Sequence, residues 1–353
     1  MRVAWIVYGS IDQPTGGYVY DRMLVMRGRA AGDEVHVISI ARGDAPEKVA
    51  RHLDDFGADA IVGDALCSPE LGPTFAMIGP RAARVLLVHH LASWEAETPT
   101  LERAAARAHE TLAVVHADHR IATSAATARR LLAEHPGPGV DVVVPGADRL
   151  PRLPRAGSPH GLTSLLFVGN LIPRKRLPLL LEALDWLHDP RFLLRIAGDA
   201  SRDESHARAI EARIEASEYL RAHVTRLGVI SDRALAGELA RSDALVLPSS
   251  LEGYGIAMTE ALRAGIPLIA ARSIAVPEAV RDSETALLFE DGAALARALR
   301  RFADDATLRE RLRRAVVDCA GRLPSWERSA AAFRDLLSRA VGTARARRPA
   351  PAP

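Results

Sequence analysis

Short apolar runs alternate with amphipathic stretches along almost the whole of this chain, and the alternation runs through two cycles. In the first, Val3–Val7, Val35–Ile40, Ala60–Val62, Val85–Val88, Ile121–Thr123 and Val142–Val144 are rich in valine and isoleucine and nearly unbroken. Such runs suit strands buried on both faces of a parallel sheet. Stretches such as Tyr18–Ala31 and Thr100–Val115 lie between them and read as helices. Four prolines then fall within residues 145–159, which read as a linker. The pattern restarts with strand candidates Ser164–Val168, Phe192–Ala197, Val224–Leu227, Ala244–Leu247, Pro267–Ala270 and Ala286–Phe289. Leu177–Leu187 and Asp203–Leu220 are helix candidates among them, and a last one, Trp326–Ala340, follows a break at Leu323-Pro324-Ser325.

Strand–helix alternation in both halves predicts an α/β chain of two doubly wound Rossmann-like domains. The boundaries read as 1–150 and 160–324. Residues 342–353 show no apolar periodicity and read as a disordered tail. In doubly wound sheets ligands bind beyond the carboxyl ends of the strands, so the loops after strands are where chemistry is expected. Two such domains facing each other would bind a ligand in the cleft.

Composition narrows the function classes. The chain has 353 residues, enough for two domains. Mean hydropathy is +0.01 and no apolar run is long enough to span a bilayer. The N-terminal apolar stretch is too short for a signal peptide and reads as a first strand. Two cysteines, Cys67 and Cys319, exclude a disulfide scaffold and point to a reducing cytoplasm. With 46 basic against 44 acidic residues there is no bulk drive toward nucleic acid. Only Lys48 and Lys175 are lysines, so a lysine in a loop after a strand is informative.

Four such loops carry candidate chemistry. Pro248 to Glu260 follows a buried strand and opens a helical run. Gly253 and Gly255 permit a tight turn there, and the helix start offers free amides to an anion. Glu252 and Glu260 put two carboxylates around that turn, which suits a sugar nucleotide: amides for the diphosphate, carboxylates for hydroxyls. Phe167 to Arg176 ends in three consecutive cations at a helix start, unfavourable for the helix dipole unless an anion sits there. A diphosphate would supply it; a solvated basic turn is the other reading. Gly16-Gly17 lets backbone close over a ligand, although an ordinary strand–helix turn would look the same. His89-His90 at a strand end could bind a substrate hydroxyl or serve as acid or base, or bond within the loop. The run His116-Ala117-Asp118-His119 reads as a helix end with no further ligand evident, and there is no H-E-x-x-H, no Asp-x-Asp, no P-loop and no serine-hydrolase signature. The expectation is therefore no metal and no cofactor.

These segments together resemble the family-4-type retaining glycosyltransferases of the GT-B fold. The resemblance runs over nearly the whole length. It rests on Gly16-Gly17, the strand-end histidines, Val144 to Asp148, Gly169 to Lys175, Ala197-Gly198-Asp199, the E-x7-E pair Glu252 and Glu260, Val276-Pro277-Glu278, and Ser325-Trp326-Glu327. It implies a helix over 325–341 that crosses back to the N-terminal, acceptor-side domain, and a donor-side domain over 160–324. It implies that Glu260 binds the nucleotide ribose and Glu252 the donor sugar. Tyr254, Gly255 and Ile256 would offer amides to sugar and phosphate. Arg174 and Lys175 would neutralise the diphosphate, and Gly16, Gly17, Gly169, Asn170 and Gly198 fall in the donor-binding set. One of His89 and His90, with His90 favoured, would touch the donor sugar. Three places depart from the family pattern: Asn170 stands where arginine is usual, Ile274-Ala275 replaces Gly-Gly, and Ala286 replaces a glycine.

The resemblance implies a metal-independent retaining transfer from a UDP- or GDP-linked sugar to an acceptor hydroxyl, on a glycan, a lipid-linked compound or a small molecule. The rivals are a sugar-nucleotide epimerase of the same architecture and an inactive homologue that only binds sugar nucleotide. A weak membrane-surface contact through Arg22–Arg29, at the inner face, stays open beside a solvated face.

Overall fold

The structure is a computed structural model and describes residues 1–78, 81–159, 161–272 and 280–347. It divides into two units, one of Met1–Gly146 with Ser325–Pro353, the other of Ala147–Pro324.

The first unit runs β1 (Arg2–Tyr8), α1 (Gly16–Ala30), β2 (Glu34–Ile40), α2 (Pro46–Phe56), β3 (Ala60–Asp64), α3 (Ser68–Ile78), β4 (Ala83–Val88), α4 (Thr100–His116), β5 (His119–Ala122), α5 (Ala125–Glu134) and β6 (Val140–Val142). Its sheet has the order β2-β1-β3-β4-β5-β6, with neighbouring strands parallel. Six of the seven residues of β1 and all five of β3 are buried, which is why their sequences read as unbroken apolar runs. The chain leaves β1 for β2 on one side and returns to β3 on the other. The switch point thus lies between β1 and β3, and the loops after β1, β3 and β4 open at that end of the sheet.

The second unit runs β7 (Thr163–Val168), α6 (Leu177–Leu187), β8 (Phe192–Ala197), α7 (Glu204–Ala216), α8 (Glu218–His223), β9 (Val224–Gly228), α9 (Asp232–Arg241), β10 (Ala244–Leu247), α10 (Ile256–Arg263), β11 (Leu268–Ala271), β12 (Ala286–Phe289), α11 (Gly292–Asp304) and α12 (Ala306–Ala320). Its parallel sheet has the order β12-β11-β10-β7-β8-β9. Here the switch point lies between β7 and β10. The two loops that sequence marks most strongly, after Val168 and after Leu247, are therefore neighbours.

α13 (Trp326–Ala346) belongs to the first unit. Trp326 is fully buried, Phe333 packs on Trp5 with ring centroids 5.4 Å apart, and Arg334 bonds Asp33 at 2.7 Å. Each buried apolar side chain of this kind stabilises by roughly 1.5–3 kcal/mol. Gly146 must be glycine: a Cβ there would stand 2.2 Å from the Trp326 nitrogen.

Three local expectations are corrected. The stretch 203–220 is two helices, because Ser217 is extended and its hydroxyl accepts the Leu220 amide to cap α8. The sixth strand ends at Val142, before the expected Val144. Tyr20 and Ser329 donate their hydroxyls to the Val143 and Val144 carbonyls, at 2.8 and 2.7 Å. Residues 342–346 are helical rather than disordered. Val341 and Ala344 are buried and Arg345 bonds Asp59 at 2.8 Å, so the last turn is anchored although its sequence shows no apolar periodicity. Residues 348–353 lie outside the described set, as do Ile274, Ala275 and Val276-Pro277-Glu278.

Candidate functional site

In the second unit the site is built from the loops after β7 and β10. The ends of β7 and β8 come so close that a Cβ on Gly198 would stand 1.8 Å from the Gly169 carbonyl oxygen, so only glycine fits. Gly169 donates to Ala197 O and Leu171 to Asp199 O, both at 2.9 Å. Gly198 thus acts as a buttress that fixes where the basic loop leaves the sheet. Pro173 then starts a single tight turn, Pro173–Lys175, after extended Ile172. Arg176 takes a left-handed conformation, φ 48°, before α6.

That turn is fastened to the second loop. Lys175 Nζ lies 2.6 Å from Glu252 Oε1, and Arg174 donates from Nη1 to Leu251 O at 2.6 Å. Ser250 N–H returns a bond to Arg174 O at 3.0 Å. Burial alone would push the Glu252 carboxyl up; Lys175 and Arg174 more than offset this and hold it at about 2. Glu252 is therefore a carboxylate at any physiological pH. The Lys175 stem lies against Gly169, where a Cβ would stand 3.3 Å from the lysine Cδ. Asn170, at the turn's entry, is only partly buried.

Gly255, at φ 84°, turns the chain into α10, whose start carries no side-chain cap bond. Met258 already donates to Gly255 O at 2.9 Å, so it is the amides of Ile256 and Ala257 at the very start of the helix that suit an anion. Tyr254, partly buried, stands just before that turn. One turn further, Glu260 is 4% exposed and bonds Arg149 Nε at 2.8 Å. Arg149 also pairs with Asp232. Burial raises the Glu260 carboxyl pKa, and Arg149 only partly counters it. Sequence reasoning missed Arg149. It lies among the linker prolines, 111 residues from its partner, and no local pattern marks it.

Removing that partner should be costly. Arg149→Ala leaves a buried carboxylate uncompensated, an expected loss of about 3 kcal/mol. In a unit of this size that lowers Tm by roughly 6–12 °C. Adding Glu260→Gln should recover part of the loss, since a neutral amide needs no counter-ion. Thermal unfolding of both variants checks this, and an unchanged Tm for Arg149→Ala contradicts it.

The first unit holds a separate cluster. His89, at the end of β4, lies against the Gly-Gly loop: a Cβ on Gly17 would be 3.1 Å from its Cδ2, whereas Gly16 faces open space. His89 Nε2 is 3.1 Å from Asp21 Oδ1 on α1. Asp21, Asp64 and His89 bring one donor atom each within 4.8 Å of one another. The short Nε2–Oδ1 separation is a hydrogen bond, so we read the group as a carboxylate–imidazole cluster. His90 turns elsewhere, to Glu95 at 2.8 Å. Asp21 and Asp64 were also missed: an aspartate in an amphipathic helix reads as solvent-facing, yet Asp21 is fully buried.

The glycosyl transferases group 1 family model matches residues 153–316. The group 1 segment holds both fastened loops and Glu260. The chain is 31% identical over 278 residues to a D-inositol 3-phosphate glycosyltransferase of Streptomyces avermitilis, covering 71% of this chain and 58% of that protein. It is 33% identical over 218 residues to a protein of the same name from Rhodococcus opacus, covering 58% and 48%. Among solved structures it resembles sucrose-phosphate synthase from Thermosynechococcus elongatus, with TM-score 0.81, 21% identity, and 97% and 99% of the two chains covered. It also resembles Anabaena HepE in complex with UDP-glucose, with TM-score 0.77, 15% identity, and 96% and 100% covered. At these identities the likeness shows the fold, which is the two-sheet α/β class of the GT-B glycosyltransferases expected from the sequence. Among the described residues no helix is long and apolar enough to cross a membrane.

Proposed function

We propose that this chain moves a sugar from a nucleoside-diphosphate sugar to an acceptor hydroxyl, with retention at the anomeric carbon and without a metal ion. The observation that supports this most is the fastening of Lys175 to Glu252 at a sheet switch point, beside the uncapped start of α10. Both are cation or dipole elements suited to a diphosphate. Glu260, buried further along α10 beside Arg149, is placed to accept from the ribose diol. The relatives named for inositol 3-phosphate make a phosphorylated polyol the first acceptor to try, and the HepE complexes make UDP-glucose the first donor.

In this reading Arg174, Lys175 and the α10 amides stabilise charge that develops on the leaving diphosphate. Glu252 fixes Lys175 and meets the donor sugar. His89, held against Gly17, takes a sugar hydroxyl in place of the favoured His90. No side chain is assigned as a nucleophile. Positioning and electrostatic stabilisation then supply the rate.

The test is turnover of UDP- and GDP-sugars in EDTA, followed by proton NMR of the product's anomeric centre. Product forms with the donor's anomeric configuration. Activity abolished by EDTA and restored by Mg²⁺ or Mn²⁺ overturns the metal-free mechanism, an inverted product overturns retention, and a donor converted to its C2 epimer makes the chain an epimerase.

A further inference from the structure

The cluster around His89 uses more charge than a simple hydroxyl contact needs. We infer that Asp21, bonded to His89 Nε2, and Asp64 beside it are positioning residues that keep the ring doubly protonated, so that Nδ1 acts toward a substrate hydroxyl as an N–H donor and not as a base. The inference rests on the transferase reading for the identity of that hydroxyl, but the state of the ring stands on its own geometry.

Three observations carry it. First, Asp21 Oδ1 takes Nε2 at 3.1 Å, which leaves Nδ1 as the nitrogen for a ligand. Second, two carboxylates are buried side by side: Asp21 is 0% and Asp64 4% exposed. Asp64 accepts the Leu66 amide at 2.9 Å, and Asp21 Oδ2 is buried with no hydrogen-bond partner. A neutral imidazole would leave that pair without a cation in contact, and buried unpaired charge is expensive. Third, the other described groups facing the cluster are neutral or bond elsewhere, although His90 also pulls the Asp64 carboxyl down. Tyr18 gives its hydroxyl to Tyr8 O and Tyr20 to Val143 O. Cys67 is buried, and burial pushes its thiol up, so it stays protonated. His90 is nearby on the same strand end but bonds Glu95. The ring itself is fixed by the edge of Tyr20, with centroids 5.2 Å apart, and by Gly17.

The titration directions agree. Burial lowers the His89 pKa, and Asp21 and Asp64 together more than reverse this, for a net rise. Burial and Asp21 push Asp64 up to about 6, against the pull of His89. Raising pH through about 6 therefore ionises Asp64 and strengthens its hold on the imidazolium, which is lost only as pH passes the raised histidine midpoint.

Histidine ring ¹⁵N NMR of the full chain without any donor, with the signal assigned through His89→Gln, reads the ring directly. In the unsubstituted protein His89 should titrate above the ordinary histidine value of about 6.5 with both nitrogens in imidazolium positions. Asp21→Asn, nearly isosteric, should drop the midpoint below that value, because burial then dominates. Asp64→Asn should lower it in the same direction and serves if Asp21→Asn does not fold. With active enzyme, the alkaline limb of kcat should move to lower pH in Asp21→Asn while donor KM holds. A His89 that titrates below the ordinary value in the unsubstituted protein, or that ignores both substitutions, overturns the inference. Absence of turnover with every sugar nucleotide would overturn the transferase reading and leave the NMR result to decide the ring.

Discussion

Lys175→Ala should lower kcat/KM by about 100-fold or more, the scale of removing one strong electrostatic donor from an enzyme site. The expectation has two physical sources that must be separated. Lys175 would stabilise charge on the leaving diphosphate. It also compensates Glu252, 2.6 Å away, and its loss leaves that buried carboxylate with Arg174 as the named cation. Lys175→Ala with Glu252→Gln tells the two apart. If the lysine acts mainly by compensating the glutamate, the double variant is no slower than Glu252→Gln alone. If it acts on the diphosphate, the double variant falls well below either single variant. Steady-state kinetics with the true donor decides this. Near-wild-type kcat/KM in Lys175→Ala would reduce the basic loop to a structural tie.

The two glutamates should fail in different ways. Ribose is bound similarly in ground and transition states, so Glu260→Gln should weaken nucleotide affinity and leave kcat nearly intact. A hydrogen bond to a charged group contributes about 1.5–3 kcal/mol, so the expected loss is roughly 10–150-fold. Glu252 should act on rate, because it holds Lys175 and meets a sugar whose charge changes during transfer. Glu252→Gln should keep nucleotide affinity within a few-fold and lower kcat about 100-fold. Calorimetric affinity beside steady-state kinetics reads both. If Glu252→Gln abolishes nucleotide binding and Glu260→Gln does not, the assignments are reversed.

Much of the fold is legible because both sheets are parallel and buried, so each strand writes itself as an apolar run with little ambiguity. The loops of the second unit are legible for a local reason: glycines, prolines and a rare lysine fall within a few residues of a strand end. What is not legible is pairing across the chain. Lys175 and Glu252 are 77 residues apart, Arg149 and Glu260 111, and Asp21 and His89 68. The sequence shows three cations at a helix start and suggests an anion. It does not show that Lys175 meets a carboxylate of its own chain. Arg149 looks like linker and Asp21 like a solvent-facing helix residue, because burial of a charge depends on a partner that only the fold supplies. The tail misleads for the same reason: residues 342–346 show no apolar periodicity but are held by Val341, Ala344 and the Arg345–Asp59 pair.

The central claim is that the loops after β7 and β10, with Glu260, form a nucleoside-diphosphate site. Calorimetric titration of UDP and of GDP into the full chain in EDTA tests it most directly, beside the same titrations of Glu260→Gln. At least one nucleotide should bind the unsubstituted protein with one site per chain, and Glu260→Gln should weaken it about tenfold or more. Failure of both nucleotides to bind, or equal affinity in the protein and its Glu260→Gln variant, would contradict it.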